Sequence, residues 1–96
     1  MDRTGFERRL ADGGYIAVSK EMAPDDIVTD HAHPWDVCAL VTAGDITLTI
    51  DGSPQTYAAG DVFVMDAGCV HHEVVGADGV QYLAGRRDPM SSIEKS

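Results

Sequence analysis

All the imidazole of this 96-residue chain lies in two short stretches, His31 and His33 in DHAHPWDV and His71 and His72 in GCVHHEV. Neutral imidazole is a good ligand for divalent transition metals, and two rings that point the same way can share one ion. In an extended segment, residues i and i+2 face the same side with Cα atoms about 6.5–7 Å apart, whereas in a helix they diverge. Pro34 directly after His33 opposes a helix, so His31 and His33 are expected to converge from an extended segment. In HHEVV, strand parity puts His71 and Glu73 on one face and His72 on the other. If His71 meets His31 and His33, three imidazoles hold one divalent metal and leave coordination positions open for another molecule. A single histidine is more often a surface or packing residue, but concentration in two stretches weighs against that reading here.

The elements needed to position these residues are mostly strands. Thr4 and Glu7 fit a capping box, Phe6 and Leu10 share a helix face, and Gly13-Gly14 ends the run, which predicts one helix over about residues 4–12. Beyond it no segment keeps a 3.6-residue period. Glycines recur every eight residues, at Gly44, Gly52, Gly60, Gly68 and Gly76, and each is expected at a turn between short strands. ITLTI alternates cleanly and runs into Asp51-Gly52, a good two-residue hairpin turn. VFVM, HHEVV and VQYLAG are expected as separate strands, the last two divided by the GADG of Gly76–Gly79. The pattern predicts an all-β sandwich or barrel over about residues 15–87, then a polar tail over 88–96, within one domain spanning 1–96.

Composition narrows the partners. Asp and Glu number 16 against 7 Lys and Arg, a formal charge of -9, so the overall field repels nucleic acid and anionic membrane surfaces. No apolar run approaches a membrane span, and MDRTGFERRL lacks the apolar stretch of an export signal. The expected compartment is the cytoplasm, where Cys38 and Cys69 stay free thiols. Cys38 reads as a small buried apolar residue, and Cys69, two before His71, is close enough to line a site.

In these residues the chain resembles a small single-domain cupin, from about Tyr15 to Arg87. The first cupin motif is matched at His31, His33 and Gly44, with Val37 in the place of its glutamate. The second is matched at Gly60, Gly68 and His71, with Asp66 for its proline and Val75 for its asparagine. The resemblance implies a cupin double-stranded β-helix (jelly-roll) barrel, a divalent metal held by His31, His33 and His71, and a homodimer. It supplies no fourth ligand. Glu73 is favoured for that place, as ligand or as an acceptor orienting an imidazole; Asp36 would need a bulge to turn inward, His72 faces the wrong way, and water is the remaining choice.

The expected partner is a small molecule, bound at a metal that is iron, manganese, nickel, copper or zinc, since imidazole suits all of them. Metal-dependent catalysis leads, with oxygenase (dioxygenase-like), isomerase and hydrolase chemistry all open, and Glu73 and Tyr82 are the candidate catalytic groups. A non-catalytic ligand-binding or sensing module is the alternative, and a purely structural protein the least favoured. Trp35 is read as packing that could also roof the pocket. Arg86 and Arg87 are read as solvated charges.

Overall fold

The computed structural model describes residues 2–88. Helix α1 (Arg3–Asp12) is followed by β1 (Ile16–Met22), β2 (Ile27–His31), β3 (Asp36–Ile50), β4 (Ser53–Ala58), β5 (Val62–Met65) and β6 (His71–Arg87). Residues 89–96 of the expected tail lie outside the described residues. No helix among the described residues is long and apolar enough to cross a membrane.

The helix starts at Arg3, one residue before Thr4. Asp2 is its N-cap, accepting a hydrogen bond from the Gly5 N–H at 2.7 Å. The expected Thr4–Glu7 capping box does not form, and Glu7 instead pairs with Arg3 one turn back at 2.9 Å. Phe6 and Leu10, on one helix face as expected, are fully buried against Cys38, Leu40 and Leu83.

All strand pairings are antiparallel, and β3 and β6 run side by side from Asp36 opposite Arg87 to Thr49 opposite His72. One half of this long pair is flanked by β1 and β5, the other by β2 and β4. The two halves face each other across a shared core, the double-stranded β-helix that the family resemblance implied.

Two expected turns prove to be bends inside these long strands. HHEVV and VQYLAG are one strand, β6, and neither Gly44 nor Gly76 ends an element. Between Val41 and Ile46 of β3 the register shifts twice, while Gly76–Gly79 of β6 carry no partner in β3. The inward positions consequently change parity: Val37, Ala39 and Val41 before the bend and Ile46 and Leu48 after it, with Val75 before and Val80 and Ala84 after in β6. Strand-length rhythm alone does not distinguish such a bulge from a turn, because both call for glycine.

At the bend the two backbones nearly touch. Gly44 has φ +73°, and a Cβ there would overlap the carbonyl oxygen of Gly79. Gly52, in the β3–β4 hairpin, has φ +79° but open space where its Cβ would go. Gly44→Ala is therefore expected to lose about 3 kcal/mol or more, combining the left-handed backbone cost with overpacking. Gly52→Ala should lose only about 1 kcal/mol. Urea unfolding of both variants checks this, and equal losses would contradict the close crossing.

Candidate metal centre

His31 closes β2, and its direction depends on a bulge. Val28 stands opposite Glu73 and His31 opposite His71, so three steps of β2 span two of β6. The extra residue turns both Val28 and His31 to the interior. His33 lies beyond the strand, in the loop before β3, so the expected pair on a single strand is not what forms. Pro34 prevents continuation, and the loop is instead tied down by the Gly68 N–H, which donates to the His33 carbonyl at 2.8 Å.

His71 and Glu73 share the inward face of β6 as parity requires, both buried, at 1% and 8% exposure. His31, His33, His71 and Glu73 each place one ligand atom within 4.8 Å of all the others. The His31 and His71 rings are 4.1 Å apart, with His33 at 5.0 and 5.4 Å from them. Burial, followed by the charges of His31 and His71, pushes the His33 pKa down, which favours the neutral, ligating imidazole.

The hydrogen bonds test whether a cation suits this group. His31 Nδ1 sits 3.0 Å from the Thr29 carbonyl and His71 Nδ1 3.0 Å from the Cys69 carbonyl. Carbonyls only accept, so each Nδ1 is assigned the proton and each neutral ring keeps its lone pair on Nε2. Both Nε2 atoms then aim at the same oxygen, Glu73 Oε2, at 3.0 and 3.1 Å. Three electron-rich atoms converging in this way repel unless a proton or metal ion lies among them. Their spacing matches neighbouring ligands on one transition-metal ion, about 3 Å apart for metal–donor bonds near 2.1 Å. The residues present fit a divalent metal.

The other candidates are engaged elsewhere. Asp36 accepts from the Ala67 N–H at 2.9 Å and pairs with Arg87 at 3.2 Å, so it does not turn inward. His72 faces away, 3.9 Å from Asp30. Cys69 contributes its carbonyl to His71 rather than its thiol, and Cys38 is a buried free thiol. Trp35 packs against the core and also stacks on His33, with ring centroids 5.1 Å apart and planes 11° apart.

The cluster opens into a cavity of about 280 Å³, whose apolar wall includes Val28, Phe63 and Met65. Tyr82 lines it too, in edge contact with Phe63. Arg86 was not expected at the site: its guanidinium lies 4.8 Å from the Trp35 ring centre, and it lines the same cavity. A signal for it existed, because Tyr82, Ala84 and Arg86 share one strand face. Arg87, by contrast, is held by Asp36, by the Gly13 carbonyl at 3.0 Å and by the Tyr15 ring.

Burial, reinforced by the Glu73 charge, pushes the Tyr82 phenol up to about 12. Alkaline titration followed by tyrosinate absorbance should show one component with a midpoint near 12, absent from Tyr82→Phe. Because the raised value favours the protonated fold, the stability contributed by Tyr82 is intact below pH 10 and is lost as pH rises towards 12. Titration of all three tyrosines near the ordinary value would contradict this burial.

Residues 18–83 match the family model described as Cupin domain. No curated protein sequence matches the chain. Among solved structures it is similar to a Rhizobium leguminosarum protein of unknown function, at TM-score 0.72 and 17% identity over 78% of this chain and 71% of that one. It is similar also to KdgF from Halomonas sp., at TM-score 0.64 and 24% identity over 79% and 73%. Bacillus subtilis oxalate decarboxylase, a protein with Mn(II) centres, matches at TM-score 0.67 and 23% identity over 75% of this chain but only 20% of its own. At such identities these likenesses show a shared fold.

Proposed function

The chain belongs to the cupin domain family, and from that premise we propose that His31, His33, His71 and Glu73 hold one divalent transition-metal ion per chain, at which the protein acts on a small molecule. The observation that carries this reading is the convergence of two carbonyl-oriented imidazole Nε2 atoms on Glu73 Oε2. Bound there, such an ion supplies Lewis-acid polarisation of a substrate oxygen or nitrogen or, where it is redox-active, activation of O₂.

The remaining steps fall to the chain's own residues. The Thr29 and Cys69 carbonyls keep the two imidazoles in the Nε2-ligating tautomer before anything binds. Glu73 offsets part of the ion's charge. Val28, Phe63 and Met65 present an apolar wall that displaces water from a bound molecule. Tyr82, its proton tightly held, is a hydrogen-bond donor at every physiological pH.

Protein purified without chelating resin and offered Mn²⁺, Fe²⁺, Ni²⁺, Cu²⁺ or Zn²⁺ should retain close to one equivalent of at least one of them. His71→Ala should abolish uptake. Glu73→Gln should weaken it about 10–100-fold. Asp36→Asn should leave uptake intact while lowering stability, since its carboxylate serves the fold. Absence of uptake for every ion would sink the metal centre. Turnover of a small molecule by the loaded protein, lost in His71→Ala, separates an enzyme from a module that only binds its ligand.

A further inference from the structure

We propose that Arg86 and Tyr82 form an anchor for the carboxylate of a small organic acid whose other end lies at the His31, His33, His71 and Glu73 cluster. This rests on the reading of that cluster as the centre of a ligand site. Tyr82, Ala84 and Arg86 form a row on the inward face of β6, past the bend from His71 and Glu73, and Arg86, Tyr82 and Glu73 line one cavity.

Arg86 is placed to receive an anion. Among the described residues no carboxylate lies within ion-pairing distance of it, although its neighbour Arg87 is fully engaged. Its register partners across the sheet, Ile16 in β1 and Val37 in β3, are both apolar. The Trp35 ring beside the guanidinium engages its face, and a planar guanidinium bonded this way keeps its edge N–H groups for a carboxylate. The Tyr82 hydroxyl has no hydrogen-bond partner among the described residues, yet no side-chain polar atom there is both buried and unsatisfied, so it is open to the cavity.

Charge favours the same assignment. In a chain of formal charge -9, two of the seven cationic side chains, Lys20 and Arg86, line this one cavity. Lys20 stands directly opposite Tyr82 in β1. Of the acidic groups in the lining, Glu73 is already engaged by two imidazoles, and Glu21 pairs with Gln81 on the opposite parity from the Tyr82 row. The apolar wall and the small volume select an acid with a compact carbon body over inorganic phosphate, which has none to bury.

The test compares benzoate with its neutral near-isostere benzamide by calorimetry, on protein stripped by a chelator and on protein loaded with Zn²⁺. Fluorescence of Trp35, the single tryptophan of the chain, is read in parallel. Benzoate should bind at least about tenfold more tightly than benzamide, Arg86→Gln should erase that preference, and Tyr82→Phe should reduce it about threefold. Equal affinities for acid and amide, no benzoate binding, an undiminished preference in folded Arg86→Gln, or phosphate binding as tightly as benzoate would each overturn the anchor. Should Arg86→Gln fail to fold by circular dichroism, Tyr82→Phe decides, and an unchanged preference overturns the proposal. An acid preference in stripped protein that takes up no zinc removes the metal centre and leaves the anchor. Zinc uptake without acid preference does the reverse.

Discussion

The arrangement depends on one close backbone crossing, where β3 and β6 bend together at Gly44 and Gly79. Two long antiparallel strands that stayed straight would form one flat sheet with half of each strand's apolar residues facing water. Bending both at the same register folds the sheet over itself, and the odd sequence step from Val75 to Val80 resets parity so that both halves face inward. Only glycine lets the backbones meet this closely. Glu73 on one side of the bend, and Tyr82 and Arg86 on the other, consequently line one cavity rather than opposite faces of a sheet.

Fixing the loops is the second requirement. His33 is not on a strand, so its position relies on the Gly68 N–H bonded to its carbonyl. Asp36 joins the same two segments again through the Ala67 N–H, and Arg87 links Asp36 to the Gly13 carbonyl and Tyr15 beyond the end of α1. The helix is thus part of the support for the site, through the strand end that bears Arg87. The ion pair itself is partly exposed and screened, so the stability Asp36 contributes comes chiefly through its part-buried hydrogen bond from the Ala67 N–H. The imidazole tautomers are likewise set by main-chain carbonyls, which do not depend on any side chain being retained.

Much of this was legible in the residues. Period-two alternation identified the β class, the helix face of Phe6 and Leu10 was correct, and parity alone put His71 and Glu73 together and His72 apart. Three things were not legible. A glycine at a bulge and a glycine at a turn look alike in sequence, so β6 was read as two strands. The N-cap at Asp2 and the Thr4–Glu7 pattern compete for the same helix start, and the Asp2 bond prevailed. The roles of Asp36, Arg86 and Arg87 depend on partners far along the chain, Arg87 with Asp36 and Gly13 and Arg86 with Trp35, which no local pattern encodes.

The departure from the family's first motif and the open arginine have a common cause. Val37 occupies the motif's glutamate position and is the β3 register partner of Arg86. A carboxylate at Val37 would lie across the strand pair from the guanidinium, within the range at which opposite charges on facing residues associate. Arg86 would then be neutralised by the protein itself. With valine there, the acidic group near the histidines comes from Glu73, on β6 opposite Leu48, where two imidazoles already engage it. Moving the carboxylate from one side of the bend to the other leaves the imidazoles an anionic neighbour and leaves Arg86 a charge to offer. The change at Val37 is thus better understood as a redistribution of charge within the cavity than as the loss of a ligand.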